Sequence, residues 1–204
     1  MTLADTYLNQ VYVTLGISSL PAKEKYEQLN LINTELDRIN RALPNPMNIK
    51  TTGTINERLV QLALEGYIPK AWHKLQGYDW MGDFAINGFP LSTIISVKSF
   101  KAKERLLVSG TGTQYAPTVG WGRFDDPSEF SANRLEAYVF RGFLAIYMPA
   151  ATAELLDSPA KSVVNIHKHK LVRHIEDFGT DIEASTKNVI TATSALTLLE
   201  TANF

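Results

Sequence analysis

The chain contains no cysteine among its 204 residues. This absence excludes disulfides, thiolate metal ligands and cysteine nucleophiles, and it is consistent with a reducing compartment. The sequence also lacks any window close to the roughly 18 uninterrupted apolar residues of a membrane span. Its N-terminus has no basic segment followed by an apolar run, as an export signal has. We therefore expect a cytoplasmic protein without membrane contact.

The chain also lacks an excess of either charge, with 20 Lys and Arg against 21 Asp and Glu. The overall charge therefore does not require a polyanionic partner, and any nucleic-acid surface must come from local clustering. Hydrophobic residues make up 45% of the chain, an ordinary share for a domain that builds its core without disulfides. These properties predict a single domain spanning residues 1–204.

Two helices are predicted in a helical extension at residues 1–46. The first runs from Leu3 to Leu15 and stops at Gly16, and the second runs from Pro21 to Leu43. The second helix carries an apolar stripe at spacings of three and four, formed by Leu29, Ile32, Leu36, Ile39 and Leu43. Such a stripe either packs on its own domain or forms part of a dimer surface.

A third helix is indicated by the pattern Thr-x-x-Glu at Thr54 and Glu57, which is typical of a capping box. The following residues are mainly apolar, and Gly66 suggests the end of the helix. In this interpretation Glu57 lies in the first turn, where a negative charge favours the positive end of the helix dipole. That structural role alone would explain the residue.

The stretch from Trp80 to Phe100 predicts a β-hairpin. Asn87-Gly88 tolerates the positive φ angles of a tight turn, and the flanking residues are largely β-branched or apolar. Because side chains alternate along a strand, Ser96 and Lys98 share one face of the second strand. A lysine at such a position, where packing favours an apolar residue, is the first indication of a functional site.

The remaining sequence predicts an α/β (α+β) fold with a mixed central sheet flanked by helices. Residues 109–130 contain several glycines without clear periodicity, which favours a functional loop. The elements expected after this loop alternate helix and strand. They are a helix at Ala132–Phe140 capped by Ser131, a strand at Phe143–Met148, a helix at Ala150–Leu156, a strand at Val163–Arg173 and a closing helix at Ala184–Leu199.

Asp83 followed by Ser96-Val97-Lys98 on a neighbouring strand resembles the PD-(D/E)xK nuclease superfamily, which has the restriction-endonuclease-like fold. The resemblance covers residues 50–157 and leaves a C-terminal strand and helix at 158–204. It implies that Asp83 and an acidic residue bind Mg²⁺, while Lys98 orients the attacking water and stabilises negative charge. Phosphodiester hydrolysis needs these groups, because a hard cation polarises the phosphoryl group and a nearby positive charge offsets the developing one.

The sequence departs from the family pattern at two positions. Gly82 stands where the family has proline, and Ser96 replaces the middle acidic residue. We expect Glu57 to supply the missing metal-binding carboxylate, and Ser96 to hydrogen-bond a metal-bound water. Glu104 would lie about 20 Å from Lys98 along an extended strand. Glu65 would lie about 12 Å from Glu57 along the helix, so at most one of the two faces the metal.

Local basic clusters offer candidate contacts to DNA phosphates. They comprise Lys101, Lys103, Arg105, Arg123, Lys168, Lys170 and Arg173. Residues of types that can read base edges are Gln114, Tyr115, Asn133 and Arg134. The histidines His167, His169 and His174 lie among lysines and arginine, which disfavours a zinc site and favours either a solvated edge strand or a phosphate-contacting one.

Taken together, these features predict a Mg²⁺-dependent type II restriction endonuclease. Such an enzyme would act as a homodimer on a short palindromic site in double-stranded DNA, because two-fold symmetry in the protein mirrors that of the site. Two alternatives stay open. One is a DNA-binding or assembly protein on the same fold without catalysis, and the other is a helical-interface scaffold with no nucleic-acid role.

Overall fold

The computed structural model describes residues 1–69, 73–74, 82–86, 93–99 and 117–186. The strands in this part of the chain form one six-stranded sheet whose spatial order follows the chain. Helices cover the sheet, so the predicted α/β architecture with a mixed sheet is confirmed at this level. The strands are β1 (His73–Lys74), β2 (Phe84–Ile86), β3 (Thr93–Lys98), β4 (Thr118–Gly122), β5 (Phe143–Met148) and β6 (Val172–His174).

Helices precede the sheet and alternate with its later strands. A short 3₁₀ helix at Pro127–Glu129 follows β4, and residues 178–186 are helical after β6. The α-helices are α1 (Leu3–Thr14), α2 (Ala22–Glu27), α3 (Leu29–Ala42), α4 (Ile49–Tyr67), α5 (Ala132–Phe140), α6 (Ala150–Glu154), α7 (Ser158–Ser162) and α8 (178–186). None of the helices in the described ranges is long and apolar enough to cross a membrane.

The first helix forms as predicted, but the second is divided. Thr2 caps α1 through a complete capping box with Asp5, and Gly16 after its end adopts a φ of 68°. The single helix expected from Pro21 to Leu43 is wrong, because the chain leaves helical geometry at Gln28 (φ −91°, ψ 15°) and separates α2 from α3. No proline or glycine marks this break.

The start predicted for the third helix is also wrong. Helix α4 begins at Ile49, and the side chain of Asn48 caps it by accepting a hydrogen bond of 2.8 Å from the Thr51 amide. Thr54 is therefore an interior residue, and the Thr-x-x-Glu pattern does not mark a helix terminus here. Glu57 consequently lies more than two turns inside α4, where the helix dipole no longer explains its presence.

The sheet changes direction at β3. Strands β1, β2 and β3 are antiparallel neighbours, whereas β3, β4, β5 and β6 run parallel. The two strands of the predicted hairpin therefore pair as expected, while the Asn87-Gly88 turn lies outside the described residues. The carboxyl ends of the parallel strands, and the amino end of β2, share one edge of the sheet.

The glycine-containing stretch at 109–130 contains strand β4 and is not wholly a loop. Residues 100–116 lie outside the described part of the chain, but Thr118–Gly122 pairs with both β3 and β5. Gly120 and Gly122 make this strand difficult to predict from the sequence, because glycine has low β propensity. A Cβ atom at Gly122 would come within 2.9 Å of the Lys98 carbonyl oxygen, so the close pairing at this edge requires glycine.

Two hydrophobic clusters cover the two faces of the sheet. One joins α1 to α4 with residues such as Ile95, Val97 and Trp121, and the other joins α5 to α7 with Ile146 and Met148. Because α1 to α3 share one cluster with the sheet, they pack as part of the main core. The division of the chain into extension, nuclease core and C-terminal segment stays a prediction.

The apolar stripe on α3 packs inside its own chain. Leu29, Ile32, Leu36 and Ile39 are each 5% exposed or less. A dimer surface on this stripe is therefore wrong, since its side chains are already covered by the other helices.

The strand predicted at Val163–Arg173 is wrong for most of its length. Residues 158–162 form α7, a turn centred on Asn165 and Lys168 follows, and only Val172–His174 pairs with β5. Alternating lysines and histidines imitate strand periodicity here although the chain turns. Of the predicted closing helix, only 184–186 are described, and they belong to α8, which begins at residue 178.

Candidate functional site

A charged group lies at the sheet edge where β2 begins and β3 ends. The Lys98 ammonium is 3.6 Å from the Asp83 carboxylate, and both side chains are partly exposed, at 19% and 31%. The structure therefore brings together the aspartate and the lysine that the sequence singled out. A pair with this separation and exposure stays accessible to solvent and ligands.

Backbone contacts fix the position of Asp83. Its amide donates to the Ile95 carbonyl at 3.0 Å, and its Oδ2 atom accepts a hydrogen bond of 2.6 Å from the Val97 amide. Asp83 is thus tied to β3 on both sides of Ser96. These bonds hold the carboxylate beside the end of β3, where Lys98 lies.

Helix α4 brings Glu57 to the same edge. The preceding residue, Asn56, is fully buried, and its Nδ2 donates a hydrogen bond of 2.6 Å to the Lys98 carbonyl. This bond attaches the middle of α4 to the end of β3. Because Asn56 and Glu57 are consecutive, this bond also holds the backbone at Glu57 near the end of β3, and the Glu57 side chain is exposed.

The electrostatics of Glu57 report this proximity. Partial desolvation and, next, the negative charge of Asp83 raise the pKa of Glu57, whereas the positive charges of Arg58 and Lys98 lower it. Arg58 itself is directed towards α1, where it pairs with Asp5 at 3.2 Å. Two carboxylates that repel each other beside a lysine form an arrangement that a bound cation would stabilise.

Glu65 does not join this group. Its carboxylate accepts a hydrogen bond of 2.7 Å from Gln61 on the exposed side of α4. Glu104, Lys101, Lys103 and Arg105 lie outside the described residues.

Ser96, two residues before Lys98 on β3, is fully buried. Its Oγ atom has no hydrogen-bond partner among the described residues, and the same is true of Asn56 Oδ1. Ser96 lies opposite Gly120 in β4, whose lack of a side chain leaves space on that face. A polar atom that is buried without a partner costs free energy, so both atoms are candidates for contact with a bound water.

The oxygen atoms present fit a magnesium ion in kind and number. Within the described ranges no three His, Asp or Glu side chains are arranged to hold a metal. Mg²⁺ usually takes only one or two carboxylates from a protein and completes its shell with water and substrate phosphates. Glu57 and Asp83 supply that number of hard oxygen ligands.

Arg123 was predicted to contact DNA, but its side chain is not accessible to a DNA phosphate. Its side chain is 6% exposed, and its Nη2 atom lies 2.5 Å from Asp37. Desolvation lowers the pKa of Arg123 and Asp37 opposes this shift, so the pair is a structural one. The predicted base-reading residue Arg134 is likewise occupied, because it donates to the Glu129 carbonyl at 2.6 Å. Asn133 is exposed, and Gln114 and Tyr115 fall outside the described ranges.

The other predicted basic contacts surround the turn before β6. Asn165 is buried, and its Oδ1 accepts hydrogen bonds from the amides of His167 and His169. Lys168 and Lys170 are exposed, and Lys168 adopts a positive φ of 66°. The turn is therefore held in shape by Asn165 while its basic side chains face solvent.

A basic open cavity of about 500 Å³ lies beside this turn. Arg173 lines it and also binds Asp181 at 2.8 Å, so its charge is partly compensated. The other basic side chains that line the cavity are Lys161, His169, Lys170 and His174.

Sequence reasoning missed Asn56, which connects α4 to β3. The available signal was an asparagine on the helix face that also carries Leu59 and Ala63, where an apolar residue is expected. Its partner lies 42 residues away, and no local pattern identifies such a contact.

Comparisons with known proteins do not extend this picture, because no family model, curated protein or solved structure matches the chain.

Proposed function

We propose that this protein is a Mg²⁺-dependent endonuclease of the PD-(D/E)xK type that hydrolyses double-stranded DNA. The proposal rests chiefly on the pair of Lys98 and Asp83 at the end of β3, and the charges of both residues act on Glu57 of α4. Glu57 was expected from the sequence as the replacement acid. Because it lies inside α4 and not in the first turn, an interaction with the helix dipole does not explain its presence.

In this proposal Glu57 and Asp83 are the carboxylates that would hold the cation. Bound magnesium would polarise the phosphoryl group and offset its developing charge. The Lys98 ammonium, which has Asp83 as its anionic neighbour, orients the attacking water and stabilises negative charge on the phosphate oxygens. The Ser96 hydroxyl donates a hydrogen bond to a water in the same site.

The sheet and its flanking helices agree with the restriction-endonuclease-like core that this function implies. A glutamate-bearing helix precedes the antiparallel pair with Asp83 and Lys98, and a helix–strand pair follows. The exposed basic turn at 166–170 supplies phosphate contacts beside β6. A cytoplasmic type II restriction enzyme would use these features as a homodimer, with its dimer surface away from the buried α3 stripe.

The decisive experiment is cleavage of a mixed-sequence plasmid with Mg²⁺. We expect discrete fragments from the wild type and from Lys23→Ala, a control at an exposed lysine on α2. Lys98→Ala should give none, because it removes the positive charge beside Asp83.

A shift of plasmid mobility without cutting would favour the second candidate, an inactive DNA-binding or assembly protein. The observation favouring that candidate is the serine at the position of the middle acid, which leaves Glu57 and Asp83 as the candidate carboxylates among the described residues. Neither cutting nor binding would contradict both and leave the scaffold hypothesis.

A further inference from the structure

Asn56 is an uncommon residue for the buried face of a helix. It is 0% exposed, and its neighbours on the same face of α4, Leu59, Val60 and Ala63, are 0% exposed as well. Asparagine is mostly found at protein surfaces, and burying its amide costs free energy unless its polar atoms are hydrogen-bonded. A leucine of similar size would fill the position without that cost. The asparagine therefore needs an explanation other than core packing.

The amide of Asn56 is only half used for hydrogen bonding among the described residues. Its Nδ2 atom donates to the Lys98 carbonyl at 2.6 Å, whereas its buried Oδ1 atom has no partner there. An unpaired buried acceptor offsets much of what the bond from Nδ2 contributes to stability. The residue is therefore explained better by what Nδ2 holds in place than by a net gain in stability.

The atom that Asn56 holds belongs to the last residue of β3, which ends at Lys98. On the strand side, Gly122 lies so close that a Cβ atom there would be 2.9 Å from the same carbonyl oxygen. The preceding amide, that of Val97, donates to Asp83 at 2.6 Å. Contacts from α4, β4 and Asp83 thus fix the end of the strand, and the Lys98 side chain leaves the backbone at this fixed point.

We propose that Asn56 is a positioning residue, which keeps the Lys98 ammonium beside Asp83 by holding the Lys98 carbonyl. The inference rests on the nuclease function proposed above, in which Lys98 orients the attacking water. Asn56 acts through the backbone and does not touch the reacting atoms. Misplacing a reacting group by about 1 Å lowers an enzymatic rate by about 100-fold. Loss of this bond should therefore reduce turnover more than DNA binding, which depends on phosphate contacts.

Steady-state cleavage of the plasmid by Asn56→Leu tests this role. Leucine keeps the volume and adds buried apolar surface that offsets the lost bond, so the variant should unfold at a urea concentration close to that of the wild type. We expect kcat to fall by about tenfold or more and KM to change by less than about threefold. A wild-type kcat in this variant would overturn the proposal.

The matched control is Thr52→Val, one turn earlier on the same helix. Thr52 is 1% exposed, and its hydroxyl donates to the Asn48 carbonyl at 3.2 Å, inside α4. Valine has the same shape and removes a buried hydrogen bond that does not reach β3. This variant should keep the wild-type kcat, and a loss equal to that of Asn56→Leu would show that any buried polar change in α4 has the same effect and would overturn the proposal.

Hydrogen exchange separates this proposal from the nuclease proposal, because it needs no DNA cleavage. The probe is the Val97 amide, which donates to Asp83, and the reference is the Ile146 amide in β5. In Asn56→Leu the Val97 amide should exchange about tenfold faster or more, while the Ile146 amide keeps its rate. Thr52→Val should change neither rate. An unchanged rate at Val97, or an equal increase at both amides, would contradict a local hold on the end of β3.

The outcomes for the two proposals differ. A wild type that does not cut the plasmid contradicts the nuclease function, and hydrogen exchange then still decides whether Asn56 holds the end of β3. If Asn56→Leu does not fold, Asn56→Asp takes its place, because it keeps the shape and donates to the Lys98 carbonyl only when protonated. Relative to the wild type at the same pH, exchange at Val97 should then slow as the pH falls. A ratio that is independent of pH would overturn the proposal.

Discussion

Two ion pairs lie close together at the same edge of the sheet, and they differ chiefly in the burial of the basic side chain, since Asp37 is itself 48% exposed. Lys98 and Asp83 are 3.6 Å apart and both partly exposed, whereas Arg123 is 6% exposed and 2.5 Å from Asp37. Gly122, the residue before Arg123, pairs directly with Lys98. Sequence alone assigned both basic residues to DNA chemistry, but burial separates them into an accessible pair with a second carboxylate nearby and a structural one.

Among the variants that test the difference between the two ion pairs, Glu57→Gln is expected to have the largest effect. Loss of one of the two carboxylates beside Lys98 should lower the rate of plasmid cleavage by about 100-fold or more. Glu65→Gln on the same helix is the matched control and should cleave at the wild-type rate, because Glu65 accepts its hydrogen bond from Gln61 on the exposed side of α4. Equal rates for Glu57→Gln and the wild type would remove Glu57 from the mechanism.

The stability of the two pairs should differ strongly. Asp37→Asn leaves the buried Arg123 without its counter-charge, and we expect the free energy of unfolding to fall by about 2 to 3 kcal/mol, less than for a fully buried pair. Asp83→Asn should change it by less than about 1 kcal/mol, because that pair is solvated. Urea denaturation measures both, and similar losses in the two variants would contradict the distinction.

Asn56→Ala probes the connection that brings α4 to the accessible pair. The Lys98 carbonyl would lose its side-chain donor, so the free energy of unfolding should fall by about 1 to 2 kcal/mol. Asn9→Ala on the exposed face of α1 is the control and should be neutral or slightly stabilising, because alanine is the better helix former. If Asn56→Ala behaves like this control, the bond to Lys98 contributes nothing measurable.

The smallest effect concerns Glu176, which follows β6 and lines a cavity together with Arg123 and Asp37. Desolvation raises the pKa of Glu176 above its ordinary value of 4.5, so its ionised form opposes folding at neutral pH. Glu176→Gln should therefore raise the free energy of unfolding at pH 7, by about 1 kcal/mol or less after solvent screening.

This gain should fade as the pH falls through the raised pKa of the folded state and should be lost below 4.5, the ordinary pKa, because the carboxyl group is then neutral in both the folded and unfolded states. Denaturation curves from pH 4 to 7 check the sign of the effect. A gain that grows towards low pH would contradict the raised pKa.

Regular local signals predicted several elements well. The apolar run at Phe143–Met148 is strand β5 with the predicted bounds, and the helix at Ala132–Phe140 is α5. Ser131 precedes that helix but makes no capping hydrogen bond. These elements could be predicted because a run of apolar residues indicates a strand buried on both faces, and helical periodicity indicates a helix, within a short stretch of sequence.

Elements that depend on contacts with residues distant in the sequence could not be predicted from local patterns. Strand β4 was missed because it contains Gly120 and Gly122, which a propensity argument counts as evidence against a strand. Gly122 is needed there because its backbone lies close to the Lys98 carbonyl oxygen. The family resemblance led us to expect Glu57 beside Asp83 and Lys98, whose charges act on its pKa, and this role of Glu57 stays a prediction. The helix start assumed for it was wrong. The burial of Arg123 depends on α3, far away in the chain, and its local sequence carries no sign of it.

The parallel pairing of β3 to β6 has a kinetic consequence. Each parallel pair needs a crossover connection, so its contacts join residues distant in the chain, and the chain must close long loops before those contacts stabilise it. Refolding should therefore be slower than that of a helical bundle of similar stability. Helices α1 and α4 form from local contacts, but the Asn56–Lys98 bond waits for β3, so the candidate site should be completed late in folding.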